Sequence, residues 1–230
     1  MGSDRGLFIN FPLDVTAPIS AGDGVWQVAV TCQERGGSVT CAVQVESRDS
    51  ERRVPDVFLR RPAWAESVTV TDHRGEPLES AAEGGYLRLP GAEATQGGVR
   101  VTFAFSPRLE DRRLKRLALE PAAVTRHPGV TLWDGPRILL ANTEQARPAL
   151  IALVGKDGRL QLPRDGDGNL RLAMAPRVDA AEQEIAAAVK SEANVVLSPW
   201  ERVRKDAAAA FVFDLITVPE TSPLADAFKP

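Results

Sequence analysis

Residues 25–46 read Val-Trp-Gln-Val-Ala-Val-Thr-Cys-Gln-Glu-Arg-Gly-Gly-Ser-Val-Thr-Cys-Ala-Val-Gln-Val-Glu, two alternating runs on either side of Gly36-Gly37. A glycine pair between alternating runs marks a two-residue hairpin turn, whose central positions need a positive φ. Counting outward sets Cys32 opposite Cys41 and puts Val28, Val30 and Cys32 on one face with Cys41, Val43 and Val45. Gln27, Thr31, Gln33, Thr40, Gln44 and Glu46 take the other face. One apolar and one polar face is the pattern of a half-buried antiparallel pair. The cysteines then have two readings, a disulfide or redox pair and two small buried side chains. The lack of a secretory leader favours the second.

The same alternation recurs outward from this hairpin. Val99, Val101, Phe103 and Phe105 alternate with Arg100, Thr102 and Ala104, and further short runs occupy Leu7–Leu13, Asp56–Leu59, Ser67–Thr71, Tyr86–Leu89 and Ile138–Ala141. Beyond them come Leu150–Val154, Arg159–Leu162, Leu170–Met174, Val195–Leu197 and the apolar Ala209–Val218. Short strands at even spacing between turn residues predict a sandwich, and 18 glycines and 17 prolines supply the turns. The expected fold is all-β: an antiparallel, jelly-roll-like β-sandwich over residues 1–145, then a second, smaller β-sandwich over 146–230 packed on it. The soft boundary falls at Thr143–Pro148. One short helix is expected through Lys190, with Asp179 as its cap, Glu182 three residues on, and Ile185 and Val189 at helical spacing.

Composition narrows the function classes. With 28 basic against 31 acidic residues the net charge is −3, which excludes a polycation and with it a nucleic-acid partner. No window approaches the ~20 apolar residues of a membrane span, and no basic-then-apolar leader follows Met1, so a soluble cytoplasmic protein is expected. Two cysteines and two histidines, His73 and His127, leave too few ligands for a metal site, and no phosphate loop or dinucleotide fingerprint implies a cofactor. Asp165-Gly166-Asp167-Gly168-Asn169 reads as a turn, because an EF-hand loop would need glycine sixth and has Pro176 where its last ligand belongs. The basic run Arg108–Arg116 reads as a solvated hairpin edge, or as a grip for an acidic protein surface.

Trp26, Trp64, Trp133 and Trp200 are the residues able to stack on sugar rings, and tryptophans in sandwiches also serve as core or interface anchors. For acid–base catalysis the available groups are His127 with Asp134, Glu120 and Arg126, and Asp72-His73 in a turn.

Several stretches carry a family likeness. Phe58-Leu59-Arg60-Arg61-Pro62-Ala63-Trp64-Ala65 resembles the Leu-Arg-Ile-Pro-x-Trp-Ala signature of the β-sandwich that follows the catalytic barrel in glycoside hydrolase family 127, the β-L-arabinofuranosidase-like enzymes. Gly6-Leu7-Phe8-Ile9-Asn10-Phe11 is similar to that sandwich's opening strand, Gly85-Tyr86-Leu87-Arg88-Leu89 to its Gly-Tyr step and Ser106-Pro107-Arg108 to its Pro-Arg turn. Val130–Leu139, containing Trp133-Asp134-Gly135-Pro136-Arg137, resembles its Val-Ala-Leu-x-Arg-Gly-Pro-Leu-Val-Tyr stretch, and Val195–Trp200 with the strand after it resembles its closing element. Asp134 stands where the family has arginine, and the tryptophan expected after the Gly-Tyr step is missing.

The resemblance implies a fold and an ancestry without chemistry. The family's cysteine nucleophile and its glutamate and cysteine zinc ligands belong to a helical barrel, and neither Cys32 nor Cys41 matches them. The implied role is a non-catalytic accessory domain or subunit. Its partner would be a helical-barrel catalytic domain or a second copy, with Trp64, Trp133, Asp134, Arg137 and Trp200 as carbohydrate or partner contacts. Two rivals remain: a carbohydrate-binding module using exposed tryptophans, and a repurposed sandwich enzyme binding a small molecule, with His127 and Asp134 in acid–base roles.

Overall fold

The computed structural model describes all residues except 1, 4, 12, 23, 36, 48–53, 165–169, 192–193, 200–202, 204–207 and 229–230. The chain is all-β with short helices and divides into two units, Met1–Phe105 and Ser106–Pro230. None of its described helices is long and apolar enough to cross a membrane.

The first unit contains β1 (Gly2–Ser3), β2 (Gly6–Ile9), β3 (Val15–Ala21), β4 (Gly24–Arg35), β5 (Ser38–Ser47), β6 (Val57–Arg60), β7 (Ser67–Asp72), β8 (Ala81–Glu83), β9 (Tyr86–Leu89), helix α1 (Gly91–Thr95) and β10 (Val99–Ala104). They form two five-stranded sheets, in the orders β1-β2-β6-β9-β8 and β3-β4-β5-β10-β7. The hairpin register is the one the glycine pair dictates: Arg35 pairs with Ser38 and Cys32 with Cys41. Trp26, Val28, Val30, Cys41, Val43 and Val45 are buried with Leu7, Leu59, Leu89, Val101 and Phe103 in one core drawn from both sheets. Among the described pairings of this unit, β2 with β6 is parallel.

The second unit contains β11 (Pro107–Glu110), β12 (Thr125–Asp134), β13 (Arg137–Ala141), β14 (Ala149–Val154), β15 (Leu160–Gln161), β16 (Leu170–Ala175), helix α2 (Glu182–Lys190), β17 (Asn194–Pro199), β18 (Phe213–Pro219) and a 3₁₀ helix (Pro223–Phe228). Its pairings close on themselves. β12 pairs β13, β13 pairs β17, β17 pairs β16, β16 pairs β14, and β18 joins β14 back to β12. β14 and β18 are buried on both faces: Leu150, Ala152, Phe213 and Leu215 line the interior, while Ile151, Ile216 and Val218 pack under α2.

Three expectations need correction. The break falls at Phe105/Ser106 instead of 143–148, because β12 and β13, both before residue 143, pair with β18 and β17. The second unit is consequently not the smaller one. Helix α2 begins at Glu182, and its first turn is capped by Glu184, whose carboxylate accepts from the Ala181 N–H at 2.7 Å. Asp179 pairs instead with Arg177. The Arg108–Arg116 run does form an edge: β11 leads into a turn in which Asp111 accepts from the N–H groups of Arg113 and Lys115. The Asp165–Asn169 turn lies outside the described residues.

Candidate functional site

The opening strand ends in an apolar exception to its own alternation. Leu7 and Ile9 of β2 face the core, yet Phe11, Leu13 and Val15, which follow, are exposed at 73%, 63% and 46%. They line an open groove of about 590 Å³ with Phe8, Ile19 and Val28. One margin is the edge strand β3, whose outward row includes Pro18, a residue that edges tolerate because no ladder N–H is needed there. Large apolar side chains gathered at one edge mark an interaction surface more often than a stray exposure does.

Beside this groove the family-like stretches meet one another. The Phe8 ring stacks on Phe58 at 4.7 Å with 9° between planes, and the edge of Tyr86 meets Phe8 at 5.4 Å. Tyr86 donates its hydroxyl hydrogen to Asn10 Oδ1 at 2.6 Å. Three segments separated by tens of residues thus supply one aromatic ladder across β2, β6 and β9. Sequence reasoning named none of Phe8, Phe11, Leu13 and Tyr86 as site residues. The available signal was Phe11-Pro12-Leu13, where the apolar pattern continues past the point at which alternation stops.

The three described tryptophans, Trp26, Trp64 and Trp133, pack against neighbouring side chains. Trp64 meets Phe103 and Phe105 edge to face, at 5.9 and 5.6 Å, and its loop is tied by Arg61, which donates to the Ala65 and Glu66 carbonyls at 3.3 Å. Trp26 is in the core. One face of Trp133 lies under the Arg108 guanidinium at 4.9 Å, and its Nε1 is buried with no partner among the described residues. Trp200 lies outside the described residues.

Around Trp133 the β12–β13 hairpin closes with Asp134 opposite Arg137 across Gly135-Pro136. Asp134 is buried and accepts from Arg164 at 3.0 Å, while Arg108 donates to the Gly135 carbonyl at 2.6 Å and to Glu110 at 3.0 Å. His127 sits elsewhere along β12, buried, with Nε2 3.1 Å from Thr217 Oγ1. The structure therefore gathers Trp133, Asp134 and Arg137 at one turn and leaves His127 apart from them in a strand pairing. His73 lies in an exposed turn held by Asp72, which accepts from Arg74 and Glu76 at 2.8 Å.

A cavity of about 690 Å³ opens between β14–β16, α2 and the 3₁₀ helix, with Ile151, Leu172 and Phe228 among its walls and Arg171 and Lys190 beside them. Neither His127 nor Asp134 lines it.

Burial holds the His127 imidazole below the ordinary histidine range. A histidine depressed in the fold is kept neutral there, so its contribution to stability is present above the unfolded pKa near 6.5 and is lost as pH falls through the folded value. Unfolding midpoints in urea should therefore drop between pH 7.5 and pH 5, and the part owed to His127 should vanish in His127→Gln. An unchanged slope in that variant would refute the assignment.

The fold has partial counterparts among solved structures. The chain is similar to two glycoside hydrolases. One is a GH127 beta-L-arabinofuranosidase from Geobacillus stearothermophilus T6, at 13% identity and a TM-score of 0.49, covering 92% of this chain and 34% of that one. The other, a glycoside hydrolase, shares 16% identity at a TM-score of 0.48 over 87% of this chain and 34% of its own. This chain spans about a third of the length of each. No protein-family model and no curated protein matches it.

Proposed function

We propose that the chain is a non-catalytic β-sandwich accessory domain or subunit of a family 127-like glycoside hydrolase, which docks a helical-barrel catalytic partner through the groove at Phe11, Leu13 and Val15. The observation that carries this reading is the exposed apolar row at the edge of the first sandwich. Water-exposed phenylalanine and leucine at adjoining positions suit the desolvated centre of a protein interface, where one aromatic anchor can be worth 2 kcal/mol or more. Support also comes from the ionisable residues. His127, Asp134 and Asp214 are engaged within the fold: Asp214 accepts from Arg147 and from the Gly129 N–H, and His127 and Asp134 have the partners already described. Trp64 and Trp133 hold their ring faces or edges against neighbouring side chains, which weighs against a sugar-stacking platform.

The test is affinity capture of the tagged chain from its native host, with mass spectrometry and a β-L-arabinofuranoside hydrolysis assay on the eluate. Recovery of a helical-barrel protein together with hydrolysis supports the proposal; recovery of the chain alone and inactive overturns it. Phe11→Asp should reduce capture at least about tenfold, the equivalent of 1.4 kcal/mol, and leave the melting temperature unchanged because the side chain is mostly exposed.

A further inference from the structure

We propose that Cys32 and Cys41 form a modification site for low-molecular-weight disulfides, at which Cys32 is the attacking thiol and Cys41 closes an intramolecular disulfide. The two are directly opposite in the β4–β5 ladder. Their pair is of the non-hydrogen-bonded kind, because the Cys32 N–H points away from β5 and donates to Asp14 Oδ1 at 2.6 Å. Pairs of that kind bring Cα atoms to about 4.5 Å, inside the span a disulfide bridges. The sulfurs already touch as free thiols, hydrogen-bonded to each other across 2.6 Å. No strand has to move for the bond to form.

Exposure assigns the roles. Cys41 is fully buried in the first core, whereas Cys32 at the edge of that core is part-exposed and can meet a solute. Hydrogen bonding between the two sulfurs holds the Cys32 thiol below its ordinary range, and the same contact with burial pushes Cys41 far up, so the thiolate forms first at the accessible sulfur.

The chemistry balances with a small disulfide, RSSR, as oxidant. The Cys32 thiolate attacks one sulfur of RSSR, forming a Cys32–SR bond and breaking RS–SR, and the thiolate expelled takes up a proton. Cys41 then loses its proton and attacks Cys32 Sγ, breaking Cys32–SR and releasing the second RSH. Two protein thiols are oxidised and one RSSR is reduced to two RSH.

The experiment incubates the full folded chain with glutathione disulfide and follows free-thiol titration and intact mass. Wild type should lose both titratable thiols and two hydrogens with no retained adduct, and dithiothreitol should restore both. Cys41→Ser should accumulate a stable glutathione adduct, while Cys32→Ser should react only after denaturation. An adduct that persists on wild type, thiols that remain titratable, or equal adduct formation on the two variants would overturn the proposal. Ring closure is read on wild type alone, so a variant that fails to fold does not remove the test.

Discussion

Arg108→Met should lower the unfolding free energy of the second unit by about 3–5 kcal/mol, the range for breaking one partner out of a buried ion pair. Arg108 and Glu110 have side chains only 14% and 13% exposed, and removing the guanidinium leaves the Glu110 carboxylate without the N–H at 3.0 Å. It also strips the Gly135 carbonyl of its donor and uncovers the ring of Trp133. Urea unfolding followed by Trp133 fluorescence measures the loss. The double variant Arg108→Met/Glu110→Gln should recover more than half of it, since the uncompensated charge is gone. A single-variant loss under about 1 kcal/mol would show that the pair behaves as a surface contact instead.

Gly6→Ala is expected to be at least comparably damaging, by about 3 kcal/mol or more. Gly6 has φ +148°, and a Cβ there would run into the Asp56 carbonyl and approach the Phe58 ring to 2.8 Å. Backbone strain alone accounts for about 1–3 kcal/mol. The steric conflict adds to it, because the Asp56 carbonyl also accepts from the Leu7 N–H at 3.0 Å and cannot withdraw without opening that contact. Gly75 serves as the control. It has φ +93° with open space around it, so Gly75→Ala should cost only about 1–2 kcal/mol. Equal melting temperatures for the two variants would contradict this account.

These two residues show why part of the fold was legible in the sequence. Gly6 and Arg108 lie in stretches that resemble a known sandwich, and in the structure such stretches touch each other: Gly6 against Phe58, Phe8 against Tyr86, Arg108 against Gly135. What the eye recognises as motif is here the set of cross-strand fittings. Local alternation likewise predicted β4, β5 and β10 with their inward faces, because each packs one face on a core and the other on water. It failed for β12, whose residues His127-Pro128-Gly129 interrupt the run at a bulge, and for the exposed edge strand β3, which has little apolar face to alternate. Domain division failed for a related reason. Strand pairing between β12 and β18 joins residues far apart in sequence, and no composition shift records it. The exposed groove at Phe11, Leu13 and Val15 was missed because exposed apolar side chains look, in a sequence, like core.

The closed cycle of strands in the second unit bears on how the polypeptide is made. β18 is the strand that joins β14 to β12, and it is the last of the ring to be synthesised. The first unit has every strand in hand once Ala104 has emerged, whereas the ring waits for Pro219, about 115 residues later, a delay of roughly 6–23 s at ordinary elongation rates. From the emergence of β14 until β18 arrives, β12 and β14 carry ladder edges without their β18 partner and an incompletely covered apolar interior. Nascent chains stalled before residue 213 should therefore be the species that chaperones hold, and release should coincide with arrival of the closing strand.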